Sequence, residues 1–81
     1  MNNKHTYFEV VRETIDEFAN VEDFYTLDSF QTYASALEYA KKQNAEKGEQ
    51  ITIWENDADT LEGLNSWVIK FNLNGKEIST E

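Results

Sequence analysis

A chain of 81 residues with sixteen Asp and Glu, seven Lys and Arg and no cysteine or proline has room for one domain, and for neither a disulfide framework nor a thiolate metal site. Its formal charge of −9 argues against direct binding to nucleic-acid phosphates or anionic lipid; if the charge is used, it is used on a basic partner. No run approaches the roughly 20 apolar residues that span a membrane, and the N-terminal stretch lacks the apolar core and small-residue cleavage site of a secretory signal, so a soluble, cytoplasmic protein is expected.

Eleven aromatics, with Ile15, Leu37, Ile51, Ile53, Val68, Ile69 and Leu73, offer enough apolar area for a domain of this size to fold without staples. The charge is unevenly spread. Residues 1–62 hold fourteen acids and five bases, whereas residues 63–81 hold two of each. Six Lys against one Arg, with eight Asn, fits an AT-rich bacterial or phage genome.

In chain order, residues 1–5 are expected to fray. The stretch "TYFEVVRETIDEF" supports two periods. As a helix, Phe8, Val11, Ile15 and Phe18 make one stripe; as a strand, it is rich in β-branched and aromatic residues. The strand reading is preferred, because a single helix on only two or three strands leaves too much apolar surface open. "DFYTLDSF" reads as a second strand. A helix is predicted over 33–47, with Thr32 or Ser35 as N-cap, Ser35 and Glu38 at capping-box spacing, and Gly48 at C′. Tyr33, Ala36, Leu37 and Ala40 form its apolar stripe. "QITIWE" then alternates, with Ile51 and Ile53 on one face and Thr52 and Trp54 on the other. "SWVIKFNL" also alternates, placing Trp67, Ile69, Phe71 and Leu73 on a core face against Leu37 and Ala40, opposite Val68, Lys70 and Asn72. Asn74-Gly75 predicts a type I′ turn into a "KEIS" strand. The expected architecture is α+β, one helix packed on a small, mainly antiparallel sheet in the order β-β-α-β-β, with a short terminal strand.

This layout, with "SALEYAKK" in the helix and "ITIWE" in the following strand, resembles small acidic bacterial and phage domains of unknown function, and the resemblance implies no chemistry. "NSWVIKFNLNGKEI" is similar to the C-terminal hairpin of the phage uracil-DNA glycosylase inhibitor family. The "ES" segment which that family inserts into its target has no counterpart here, so no functional residue is carried across.

Catalysis has little support. His5 is the only histidine, which removes Ser-His and Cys-His nucleophile arrangements and His-rich metal sites. Gly48, Gly63 and Gly75 are isolated, so no glycine-rich phosphate loop is present. The acidic run "WENDADTLEG" fails as a calcium loop: counted from Asp57, the glycine position is Glu62, and counted from Glu55 it is Thr60. No cofactor and no metal are expected. Read as an extended segment, the same run sets Glu55, Asp57 and Asp59 about 6.6 Å apart from one to the next, close to the phosphate spacing of a nucleic-acid strand. Glu9, Glu13, Asp16, Glu17, Glu22, Asp23 and Asp28 form a second acidic cluster, and the two runs are expected to join in one negative face. The alternative is that these charges only keep the protein soluble. Trp54, phased away from the helix, is expected to be an exposed contact anchor, unless the N-terminal segment folds over it.

The function expected from the sequence is a small acidic, non-enzymatic binding module. Its sharpest version is a phage or mobile-element-type inhibitor that engages a basic, nucleic-acid-binding protein by charge mimicry. The partner-binding residues would be Trp54, Glu55, Asp57, Asp59 and Glu62, with Glu13, Asp16 and Glu17. The alternative is a structural or assembly module, in one form a homodimer joined through its sheets.

Overall fold

The structure, a computed structural model, describes residues 5–80. Strands β1 (Thr6–Ile15) and β2 (Val21–Phe30) form a hairpin, helix α1 (Tyr33–Lys41) follows, and β3 (Glu49–Asp57), β4 (Gly63–Asn72) and the two-residue β5 (Ile78–Ser79) complete the chain. The strands make one sheet in the order β2-β1-β3-β4-β5, with every neighbouring pair antiparallel. The architecture is α+β, sheet-dominated, with the helix a minor element. Of the residues expected to fray, 1–4 lie outside the described residues; the His5 carbonyl accepts from the Ala58 amide at 2.8 Å. Among the described residues, no helix is long and apolar enough to cross a membrane.

The double periodicity of residues 6–18 has a physical cause. β1 is a central strand, hydrogen-bonded on both sides, and it buries residues on both faces. Phe8 and Val10 pack on the helix side. Val11 and Ile15 are buried on the other face. Apolar residues pointing both ways along a strand thus imitate one helical stripe.

The core lies between α1 and the middle of the sheet. Val10, Ile51, Ile53 and Ile69 are fully buried there with Ala36 and Ala40, and Ala45 joins them. The small alanines let the helix approach the sheet closely. Tyr33 closes one side, 6.1 Å from Phe8 and 4.9 Å from Trp67 by ring centroids. Phe30 and Tyr39, at 5.3 Å, close another.

The helix is shorter than expected. Thr32 is its N-cap, accepting from the Ser35 amide at 3.2 Å, but it ends at Lys41 rather than at 47. Beyond that point side chains from β4 take up the free carbonyls. Lys70 Nζ donates to Lys41 O and Gln43 O, both at 2.7 Å, and Asn72 Nδ2 donates to Ala45 O at 2.8 Å. Arg12 Nη1 adds a bond to Asn44 O at 2.7 Å and an ion pair to Glu49 Oε1 at 2.8 Å. Gly48 is therefore not the helix C′ residue. With φ +82°, it turns the chain into β3, donating to Asn72 O at 2.7 Å and accepting from Ile15 N at 2.9 Å.

The expected alternation of the fourth strand is broken by a register shift. Lys70 pairs with Ile51, but Val68 pairs with Thr52, leaving Ile69 as the extra residue of a β-bulge. A bulge resets which face each later residue takes. Ile69 stays in the core, Lys70 and Asn72 turn to the helix side and are buried, and Phe71, paired with Gln50, goes to the opposite face. Phe71 and Leu73 are thus not part of the helix-side core, and β4 ends before Leu73. The type I′ turn is absent as well. Gly75 has φ +98° while Asn74 is not among the positive-φ residues, and the Gly75 amide is held by Asn72 Oδ1 at 2.8 Å.

Candidate functional site

The helix covers one face of the sheet and leaves the other open. Pairing register assigns that second face: Tyr7, Glu9, Val11 and Glu13 of β1 lie opposite Asn56, Trp54, Thr52 and Gln50 of β3. Phe24 and Thr26 extend it across β2, and Ser66, Val68 and Phe71 across β4. No lysine or arginine of the described strands lies on it. Arg12 and Lys70 both point to the helix side, where they hold the loop after α1.

Two carboxylates sit within this face, each held by neutral donors. Glu13 is 6% exposed. Its Oε1 accepts from Gln50 Nε2 at 2.7 Å and from Thr52 Oγ1 at 2.5 Å. Glu9 accepts from Asn56 Nδ2 at 2.6 Å through Oε1 and from Thr26 Oγ1 at 2.9 Å through Oε2. Neither has an ion-pair partner among the described residues. Buried carboxylates usually gain a cation as well as hydrogen bonds, whereas on this face the described residues offer these two only neutral donors.

Beside them lies an open cleft of about 620 Å³, lined by Glu13, Trp54, Asn56 and residues 63–66. Trp54 is half-buried rather than fully exposed, because Phe24 packs on it with ring centroids 4.8 Å apart. Among the described residues the aromatic ring that covers it comes from β2. Phe24 is itself 52% exposed, and Val68 and Leu64 add further exposed apolar area.

The acidic residues singled out in the sequence are not brought together. Glu55 lies on the helix side of the sheet, opposite Phe8, and accepts from Asn65 Nδ2 at 2.8 Å. Trp54 and Glu55 are therefore on opposite faces. β3 continues through Asp57, whose Oδ1 accepts from the amides of Asp59 at 2.8 Å and Thr60 at 3.1 Å, capping the turn to β4. Asp59 and Glu62 are exposed in or beside that turn, so only Glu55 and Asp57 keep the extended spacing. Asp16 caps the other end of β1, its Oδ1 accepting from Phe18 N and Asn20 N, both at 2.9 Å. The bond from the Asn20 backbone, helped by those from Phe18 and the Asn20 side chain, holds this carboxyl below its ordinary value against the opposing effect of desolvation. Glu17 is exposed in the same turn. Since Thr6 pairs with Asp57 and Thr14 with Glu49, the two acidic turns sit at opposite ends of the sheet, about 30 Å apart at roughly 3.3 Å per residue. They form no continuous negative face.

Phe24, Asn56, Thr26 and residues 63–66 were not visible as site residues from the sequence. Once β1 is a strand, the period of two puts Glu9 and Glu13 on one face with Thr52 and Trp54, and that signal was available. The β2 register that brings Phe24 onto Trp54 passes through a bulge between Val10 and Val11, which the sequence does not announce. Among the described residues, no group of three or more His, Cys, Asp or Glu is placed to hold a metal ion. Comparison with protein-family models, curated proteins and solved structures gives no match.

Proposed function

We propose that this chain is a small acidic binding module, without catalytic activity of its own, whose helix-free sheet face engages a basic protein surface. In its most specific form it occupies the nucleic-acid-binding surface of that partner, as a charge-mimicking inhibitor does. One observation carries the reading: the open face combines exposed Phe24, Val68 and Leu64 with the carboxylates of Glu9 and Glu13, which have no ion-pair partner among the described residues. Exposed apolar area rimmed by polar groups is the usual composition of an association surface, and the net charge of −9 favours encounter with a positive one. The acidic turns at the two ends of the sheet act in this reading as long-range steering charges rather than as a row of phosphate substitutes.

The immobilised protein should retain basic proteins from a bacterial lysate at about 0.05 M salt and release them at about 0.5 M, where the screening length falls below about 5 Å. Duplex DNA should displace the same proteins. Retention that ignores both salt and DNA would refute the reading.

A second reading, a sheet-mediated homodimer, is favoured by β2, an edge strand none of whose ten residues is buried. Open edges pair with further strands unless charged residues block them, and Glu22, Asp23 and Asp28 stand on this one. Sedimentation that shifts with protein concentration and is indifferent to salt would select the dimer.

A further inference from the structure

We propose that the cleft beside Trp54 is a socket for a guanidinium group, an arginine side chain of the basic partner. The proposal rests on the function proposed above and names the group that the open face takes. Glu13 and Asn56 are both buried and both line the cleft, and each has a side-chain oxygen to which no described residue donates. The hydrogen bonds from Gln50 and Thr52 to Glu13 both fall on Oε1. The Asn56 amide nitrogen is committed to Glu9, while its Oδ1 faces Gly63, where an added Cβ would stand 3.8 Å away. The third component is Trp54, packed on Phe24 on one side and bordering the cleft. An aromatic wall, a carboxylate that among the described residues meets only neutral donors, and an amide oxygen suit a flat, multiply donating cation. Guanidinium stacks on indole and forks its N–H groups to acceptors in its plane, whereas ammonium is a more strongly hydrated point charge. A neutral or anionic ligand would leave the Glu13 charge uncompensated.

Two features keep the socket open. Gly63 presents no side chain where β4 begins, and among the described residues this end of β4 has no strand on its outer side, since β5 pairs with Lys70 and Phe71 and Thr80 reaches only to Val68 and Ile69. A peptide backbone can therefore approach along the edge while its side chain enters the cleft.

The test uses the full chain labelled with nitrogen-15 and three blocked tripeptides, glycine-X-glycine with X arginine, lysine or citrulline. The two tryptophans provide an internal control, because Trp54 lines the cleft and Trp67 packs against Tyr33 on the helix side. The arginine peptide should shift the Trp54 indole signal and the amides of residues 63–66 saturably, and leave the Trp67 indole still. The lysine peptide should bind several-fold more weakly and the citrulline peptide not at all. Gly63→Val should abolish the response with the fold intact, since the nearest atom to its Cβ is an ordinary contact away and valine suits a strand. Glu13→Gln should weaken binding about tenfold, as loss of a charge-assisted contact does.

An unmoved Trp54 indole, equal shifts from citrulline or lysine, or undiminished binding by Gly63→Val would each overturn the socket. The two proposals fail separately. A salt-sensitive basic partner still captured by Gly63→Val would overturn the socket and leave the broader function standing. Arginine-peptide binding without any basic partner from lysate would do the reverse.

Discussion

The ammonium of Lys70 in β4 donates to the carbonyl of Lys41, the last residue of the helix, at 2.7 Å. A cation at this point satisfies orphan carbonyls and meets the negative end of the helix dipole. Its second bond, to Gln43 O, and its 3.6 Å approach to Glu77 make it the hub that ties helix, loop and C-terminal segment. Lys70→Met keeps the stem and removes the donors. It should cost about 1.5 to 3 kcal/mol in urea unfolding, the range for a hydrogen-bonded charge that is lost while its acceptors remain. Lys42→Gln, on an exposed residue, should stay within about 0.5 kcal/mol.

The bulge at Ile69 makes a ranking. Ile69→Ala opens a cavity in the fully buried core and should cost about 2 to 5 kcal/mol. Phe71, half-buried on the other face, should cost clearly less on truncation to Ala, although its side chain is larger. Parallel chemical denaturation of the two variants checks this, and a larger loss for Phe71→Ala would mean that the strand has no bulge.

That ranking also shows where sequence reading stops. Strand existence was legible, because β-branched and aromatic runs, and alternation in "QITIWE", are local signals. The helix start was legible through Thr32. What stayed hidden depends on partners far along the chain. Lys70 takes the carbonyl of Lys41 where the helix stops, Lys70 and Asn72 hold the loop beyond it through Gln43 O and Ala45 O, and those two residues face it only because of the bulge. The candidate site was half legible for the same reason. Trp54 was correctly phased away from the helix, whereas its union with Phe24 and Glu13 requires two strand registers. The acidic run was misjudged because the chain leaves extended geometry just after Asp57, whose side chain caps the turn that carries Asp59.

Asp16 sets a pH dependence. Its carboxyl is lowered from 3.8 in the folded state, chiefly by the Asn20 backbone amide, so the folded protein binds fewer protons than the unfolded chain. The stabilisation is present above the unfolded value and is lost as pH falls through the folded one. Asp16→Asn keeps an acceptor for the Phe18 and Asn20 amides but has no charge to titrate. Melting temperatures followed from pH 5 downward should fall less steeply for the variant below about pH 4. Parallel curves would remove Asp16 from the acid response.

Gly48, like Gly75, has a positive φ, and it is the one that sits where three strands meet. Its φ of +82° lies in the left-handed region, and its two backbone bonds join β1 to β4 across the start of β3. Gly48→Ala should therefore cost about 1 to 2 kcal/mol. Gly63→Ala, at a residue without a positive φ and with its methyl in ordinary contact with Asn56 Oδ1 at 3.8 Å, should be neutral or slightly stabilising. Thermal melts of the pair distinguish conformational strain from mere loss of flexibility, which would shift both alike.

The separation of Trp54 from Glu55 and Asp57 across the sheet predicts that binding kinetics divide by face. Charges away from the contact act on encounter, and their effect decays over a screening length of about 8 to 10 Å at physiological salt. Neutralising Glu55, Asp57 and Asp59 to Gln, Asn and Asn should slow association with the basic partner and flatten its salt dependence. Dissociation should remain nearly unchanged, and the turn should persist, since an asparagine in place of Asp57 would still offer its side-chain oxygen to the amides capped there. Trp54→Ala removes the aromatic wall of the contact face and should act the other way, speeding dissociation while association stays close to the parent's. Surface plasmon resonance at several salt concentrations separates the two rates. If the triple variant alters dissociation as strongly as Trp54→Ala does, the partner grips the helix side and the open face is not the interface.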